Sequence, residues 1–198
     1  ASKVRRAQDQ TIAGKPYAEK LRMLVSNLVG RVEDVKHPYL AQLDKGLPAH
    51  SGPSPSGSKT GKAGKTLLLL FSTDKGLAGS LNTKILREFI HIGGERDDTE
   101  VVAIGRKLER TVVRLGGVLV ADFPFGTTMP TFDKILPISK LVVDAFLKGE
   151  YMRVICLYTQ FLSLRTQKPT VLTLLPVAAE VKEGESEEAV LAYTFEPD

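Results

Sequence analysis

Apolar and small residues recur along the first 34 positions at alternating steps of three and four: Val4, Ala7, Thr11, Gly14, Ala18, Leu21, Val25, Leu28 and Val32. That spacing lays one stripe along one side of a helix, small early and bulky late, with Tyr17 and Leu24 widening it. Pro16 removes an amide donor inside the run, so a kink or break is expected near Lys15. A seam of this kind requires a covering helix. No other stretch of the chain matches it in length, so the partner is expected to be another chain or a segment outside these 198 residues. Leu21 to Val32 would equally suit a helix laid on the chain's own globular part, whereas Val4 to Gly14 would not.

The segment 35–65 carries Pro38, Pro48, Pro53 and Pro55 around a Ser/Gly-rich centre and reads as a loop. Its lysines, Lys59, Lys62 and Lys65, are expected to keep it solvated and to bind nothing. From Thr66 the pattern alternates between strand and helix. TLLLLFS (66–72) is a continuous apolar run, as a strand buried on both faces requires. Leu81, Ile85, Phe89 and Ile92 then share one helical face, and Gly93-Gly94 supplies the stop. EVVAIG (100–105) predicts a second strand, and RKLERTVVRLGG a helix with Leu108, Val112 and Leu115 inward. VLVADF (118–123) predicts a third strand. FDKILPISKLVVDAFLKG follows, with Ile135, Ile138, Leu141, Val142, Ala145 and Phe146 as the buried stripe and a kink at Pro137. YMRVICLYTQFLSL (151–164) predicts a long fourth strand.

Alternation of this kind argues for an α/β fold with a mostly parallel sheet and helices on both faces, joined by right-handed crossovers. TVLTLLPV (170–177) departs from it, because only about five residues precede it and a parallel crossover needs about 12. These two strands must form an antiparallel hairpin at the sheet's edge. AVLAYTF (189–195) predicts one more short strand after an acidic loop with glutamates at 180, 183, 185, 187 and 188.

The chemistry is sparse. TGKAGKT (60–66) ends on the Gly-Lys-Thr of a phosphate-binding loop, but the first glycine of that motif would fall at Lys59. The glycines also precede the apolar run, whereas a phosphate cradle forms where a strand ends and a helix begins. STDKGLAGSLN (72–82) does sit at a strand's carboxyl end, where doubly wound sheets bind ligands. Gly76 and Gly79 allow a tight turn there, and Ser80 or Asn82 could cap the helix. Its spacing is G-x-x-G, and the second strand leads into Arg106 and Lys107 where a dinucleotide site would carry an acid. Asp74, Asp122 and Asp133 have no histidine near them in sequence, so no triad or acid–base pair assembles. Cys156 is the single cysteine and lies in an apolar strand; it excludes an internal disulfide, and His37, His50 and His91 are too scattered for a zinc cluster. A reducing compartment follows. The 42% hydrophobic content supplies a sizeable core, but no run approaches the ~20 apolar residues of a membrane span. Net charge is +4, compatible with an acidic protein partner or surface. Aromatics are 7% and not interleaved with lysines, so no nucleic-acid partner is expected.

ASKVRRAQD…PYAEKLRMLVSNL, HPYL, FSTDKGLAGSLNTKILR, VAIGRK, LYTQFLSLRTQKPTVLTLLPV and the closing YTFEPD together resemble the gamma subunits of F-type ATP synthases, in order and across nearly the whole chain. The STDKGLAGSLN and QKPTVLTLLPV segments are the most specific; Ala78 stands where family members commonly have cysteine. The resemblance implies a Rossmann-like domain (66–178) between shaft helices that form an antiparallel coiled coil. Residues 1–34 would be part of the first shaft helix, 35–65 a flexible loop, and 179–198 an acidic loop, a short strand and the start of a second shaft helix. It further implies about 25 residues of helix before Ala1 and a long helix after Asp198.

The implied role is that of a rotor without catalysis, one gamma per complex, and without cofactor or metal. Its implied partners are the alpha and beta subunits of the catalytic hexamer, the epsilon subunit and the membrane c-ring. Lys75, Gly76, Gly79 and Asn82 would face beta. Arg165, Gln167, Lys168, Leu174, Leu175 and Pro176 would dock epsilon and the ring, and Arg5, Arg6 and Gln8 would line the shaft. The implied location is peripheral, on the cytoplasmic face of the bacterial inner membrane or the matrix or stromal face of an organelle. A nucleotide-binding enzyme domain of flavodoxin-like type is the alternative.

Overall fold

The computed structural model describes residues 9, 12–14, 16–18, 20–21, 23–25, 39, 64–76, 78–126, 131–163 and 166–177. The chain divides into two compact units, 1–40 with 177–198, and 41–176.

In the larger unit the apolar run forms strand β1 (Lys65–Phe71), which is buried on both faces as its composition requires. Leu67 and Leu69 point into one core cluster, Leu68 and Leu70 into the other. Helix α1 (Leu81–His91) brings Ile85 and Phe89 to the second cluster. It ends where expected: Gly93, with φ 72°, turns the chain left-handed, the Gly94 amide donates to the Phe89 carbonyl at 2.8 Å, and the Gly93 amide to Ile90 at 3.0 Å. Strand β2 (Thr99–Ile104), helix α2 (Glu109–Arg114) and strand β3 (Val118–Phe123) follow. Helix α3 (Phe132–Leu147) covers the opposite face with Ile138 and Val142. Strand β4 (Tyr151–Phe161) and strand β5 (Gln167–Leu175) complete the sheet.

The strand order is β3-β2-β1-β4-β5, with β1 central. β1 pairs parallel to β2 and β4, and β2 parallel to β3, whereas β4 and β5 pair antiparallel. The α/β sheet and its antiparallel edge pair are therefore as the hydrophobic pattern predicts. The two edges differ in detail. In β3, Val101 faces Leu119 and Val102 faces Ala121, so Val120 is an inserted residue. That bulge swaps sides: Leu119 packs with α1 and α2, while Ala121 and Phe123 pack with α3. In β5 a second shift leaves Leu174 between the Leu175–Val154 and Thr173–Ile155 pairs. Pro169 lies in this edge strand, where a missing donor is tolerated.

Several expectations need correction. β5 begins at Gln167, three residues before the position read from the sequence, and β4 ends at Phe161, because the two strands pair up to Phe161–Gln167 across a tight turn. Helix α2 is shorter than RKLERTVVRLGG suggested, since Arg106 and Lys107 send their amides back to the loop after β1. Leu115 is its C-cap and is 39% exposed, and Ile135 is equally exposed. Pro137 lies inside helix α3, as the sequence places it. Ser80 occupies the N-cap of α1 but makes no capping bond, and Asn82 turns its amide elsewhere. Lys65 is not idle: it pairs with Glu100. The strand read at 189–195 and the break near Lys15 lie outside the described residues.

In the smaller unit, residues 9, 12–14, 16–18, 20–21 and 23–25 are helical and exposed. Tyr17, Leu21, Leu24 and Val25 of the seam are among the exposed large apolar side chains. No partner helix covers them among the described residues.

At the amino end of the sheet, Glu100 accepts from the Lys65 ammonium and, at 2.5 Å, from the Tyr151 hydroxyl. These bonds, Lys65 first, hold the Glu100 carboxyl below its ordinary value against the opposing effect of burial. A lowered carboxyl stabilises the fold fully above its unfolded value, about 4.3, and the gain is lost as pH falls through the folded value. Glu100→Gln is therefore expected to destabilise by about 1 kcal/mol at pH 7. That difference should shrink as pH falls below the unfolded value and through the lowered folded one, as read by denaturant titration at each pH. At the other end, Gly105 has φ +100° and a Cβ there would lie 2.2 Å from the Ser72 carbonyl oxygen. Gly105→Ala must displace backbone, and a loss of about 3 kcal/mol or more is expected in the same assay.

Candidate functional site

In this topology a ligand would sit at the carboxyl ends of the strands, beside the reversal of order between β1 and β4. One arm of such a cradle is lacking. β4 turns back as a hairpin, with the Leu162 and Ser163 amides donating to the Thr166 carbonyl at 3.2 and 3.0 Å, so no helix amino terminus follows it. The other arm, the loop after β1, leans toward β2 and β3 instead.

The lean is caused by polar groups on consecutive residues. The Thr73 carbonyl accepts from the Lys107 amide at 3.0 Å. The Thr73 amide donates to Asn82 Oδ1 at 3.2 Å, while Asn82 Nδ2 donates to Thr73 Oγ1 at 2.7 Å. Thr73 Oγ1 in turn donates to the Lys75 carbonyl at 2.7 Å. Asp74 Oδ1 accepts from the Arg106 amide at 3.1 Å, and Asp74 Oδ2 from the Gly126 amide. Short polar side chains at a strand end commonly satisfy nearby backbone in this way. Gly79, with φ +57°, completes the turn into α1 in a conformation that favours glycine.

The result is a cationic surface. Lys75, Arg106 and Lys107 are exposed, and none of them forms an ion pair with another described residue. Lys107 lies over Gly76, where an added Cβ would be 3.5 Å from Nζ. A shallow cavity of about 280 Å³ opens between Asp74, Lys75, Arg106, Pro124 and Gly126. Its one carboxylate is held by amides, so it is not offered as a base. A larger hollow of about 410 Å³ lies under α3, among Leu69, Phe71, Ile104, Ile138, Val142 and Leu175. It is apolar, and its lining belongs to the core. Cys156 is likewise 7% exposed in that core.

Among the residues expected to act, the structure places Lys75, Gly76 and Gly79 in one loop and Asn82 in the first turn of α1 beside it, but only Lys75 presents a charged side chain outward, and the Asn82 amide binds Thr73. Gln167, Lys168, Leu174, Leu175 and Pro176 lie on or beside edge strand β5, with Lys168 and Leu174 exposed and Leu175 packed toward the α3 side. Arg165, Arg5, Arg6 and Gln8 lie outside the described residues. Sequence reading weighed Asp74 only as a catalytic acid and missed its structural bonds. The available signal was its place, three residues beyond the end of the strand and two before Gly76. Among the described residues no cluster of His, Cys, Asp or Glu could hold a metal, and no helix is long and apolar enough to cross a membrane.

A family model described as ATP synthase matches residues 1–198. The ATP synthase gamma chain of Cupriavidus pinatubonensis is 32% identical over 206 residues, and that of Aromatoleum aromaticum 35% over 204; each alignment covers 100% of this chain and 64% of the relative. The chain thus spans 64% of the length of these curated relatives. In fold it is similar to a chain in the central stalk and c-ring of the Tetrahymena thermophila mitochondrial ATP synthase, with a TM-score of 0.50, 24% identity, and coverage of 84% of this chain and 72% of that one. A chain of the Euglena gracilis mitochondrial ATP synthase rotor gives a TM-score of 0.47 at 14% identity, covering 88% and 63%. With its whole length matched by the family model, this chain belongs to the ATP synthase family, and the curated relatives it resembles are gamma chains.

Proposed function

We propose that this chain is a central-stalk rotor subunit of an F-type ATP synthase, without catalytic residues of its own, that couples proton-driven rotation of a membrane ring to conformational change in the catalytic beta subunits. The observation that carries this reading is the strand-tip loop. In a family member matched end to end, the place where an α/β enzyme would hold its ligand offers exposed cations on an internally bonded turn. Coupling of this kind needs stiffness and unequal contact with each beta state, a free-energy difference between conformations.

Lys75, with Arg106 and Lys107 beside it, would touch acidic surface on beta as each subunit passes. Contacts that form and release repeatedly should be weak, and exposed ion pairs worth about 0–1 kcal/mol meet that need. Edge strand β5, carrying Gln167, Lys168, Leu174 and Leu175, together with Arg165 and Pro176, would dock epsilon and the c-ring. Its place at the edge of the described sheet and the exposed Lys168 and Leu174 support that assignment. The exposed helical residues Tyr17, Leu21, Leu24 and Val25 would take a second shaft helix, and Arg5, Arg6 and Gln8 would line the shaft inside alpha and beta. Such a subunit is held at the membrane by its partners, on the cytoplasmic face in bacteria or the matrix or stromal face in organelles.

Affinity purification of the full-length tagged chain from its own cells is the direct test. The expected eluate contains alpha, beta and epsilon subunits, and the folded chain by itself retains no labelled nucleotide at micromolar concentration. A folded chain that binds nucleotide and brings down neither alpha nor beta would favour the flavodoxin-like alternative.

A further inference from the structure

A docking role for Lys75 does not by itself explain why the neighbouring carboxylate turns inward. Asp74 is one residue from an exposed lysine, yet it accepts bonds from two amides 32 and 52 residues away, those of Arg106 and Gly126. Both donors lie just beyond strand ends, Arg106 after β2 and Gly126 after β3, where the ladder no longer supplies acceptors. A carboxylate has two oxygens, and each one here serves a different loop. Thr73 adds the third attachment through the Lys107 amide, and its hydroxyl bonds the Lys75 carbonyl. The backbone on the amino side of Lys75 is therefore tied to the segments that follow β2 and β3, while on the other side come Gly76 and Gly79, which resist bending little.

We infer that Asp74 is a positioning residue, whose carboxylate clamps the β1 loop to the tips of β2 and β3 so that force on the Lys75 side chain passes into the sheet. The clamp stands on the geometry alone; its consequence for coupling rests on the rotor reading above. Bonds to an ionised acceptor are the stronger kind, which suits a joint that must not yield when a weak surface contact is loaded. Asparagine at this position keeps the shape but only one acceptor oxygen, so it can serve one of the two amides.

Two measurements decide it. Hydrogen exchange on the full-length chain reads the Arg106 and Gly126 amides directly. Asp74→Ala is expected to speed both by about ten- to a hundredfold, and Asp74→Asn to speed one of them. Unchanged exchange at both amides overturns the clamp. In the assembled complex, with activity counted per complex, Asp74→Ala is expected to lower proton-driven synthesis several-fold. It should add no further loss in a Lys75→Ala background, because Asp74 acts through Lys75. Unaltered synthesis, or additive losses, overturns the functional half. Should Asp74→Ala fail to assemble, Asp74→Asn gives the same two readouts. Should the wild-type chain itself not assemble with alpha and beta, the rotor reading fails, and exchange still judges the clamp.

Discussion

The constraint on which the rest depends is that β1 has no outward face. Its four consecutive leucines, Leu67 to Leu70, are each 5% exposed or less, and they alternate between two separate core clusters. A strand in that position must be central, must have a parallel partner on each side, and must carry helices above and below. Fully burying side chains of this size is worth about 1.5–3 kcal/mol each, so no surface pair in this chain competes with it. The cationic loop is placed by the far end of β1. The chain leaves β1 at Ser72 between the tips of β2 and β4, and the loop that follows is bonded to the segments after β2 and β3.

What the loop does there decides what the strand tips offer. A ligand cradle needs free amides and room for an anion. Here the Arg106 and Gly126 amides are taken by the chain's own Asp74, β4 is followed by an antiparallel strand where a cradle would have a helix, and cations line the outside. Fold alone does not assign function, and what this sheet presents at its strand tips is an internally bonded loop with exposed cations. The two ends of the sheet are also treated differently. At the amino end Glu100, Lys65 and Tyr151 form a local network on three neighbouring strands, whereas at the carboxyl end the polar bonds run across loops far apart in sequence.

Local pattern was a sound guide wherever a residue's fate depended on its near neighbours. The apolar run 66–71, the Leu81–Phe89 face and the Gly93-Gly94 stop are each set by spacing and backbone freedom, and each forms as its pattern requires. The hairpin followed from chain length, since five residues cannot cross back over a sheet. The details that sequence pattern did not supply share a different cause. The length of α2, the inserted residues Val120 and Leu174, and the partner of Lys65 were each decided by groups on other elements.

The sequence by itself determined the fold class, the central strand, the edge hairpin, the family and the glycine turn that carries Lys75, because periodicity, loop length and motif order are properties of neighbouring residues. Only the tertiary structure decided that Asp74 would be bound by the amides of Arg106 and Gly126, that Asn82 would turn to Thr73, and that Lys75, Arg106 and Lys107 would meet at one surface. The physical reason is that a hydrogen bond is chosen by distance in space. Positions 74, 106 and 126 come within reach of one another only after three strands have packed side by side.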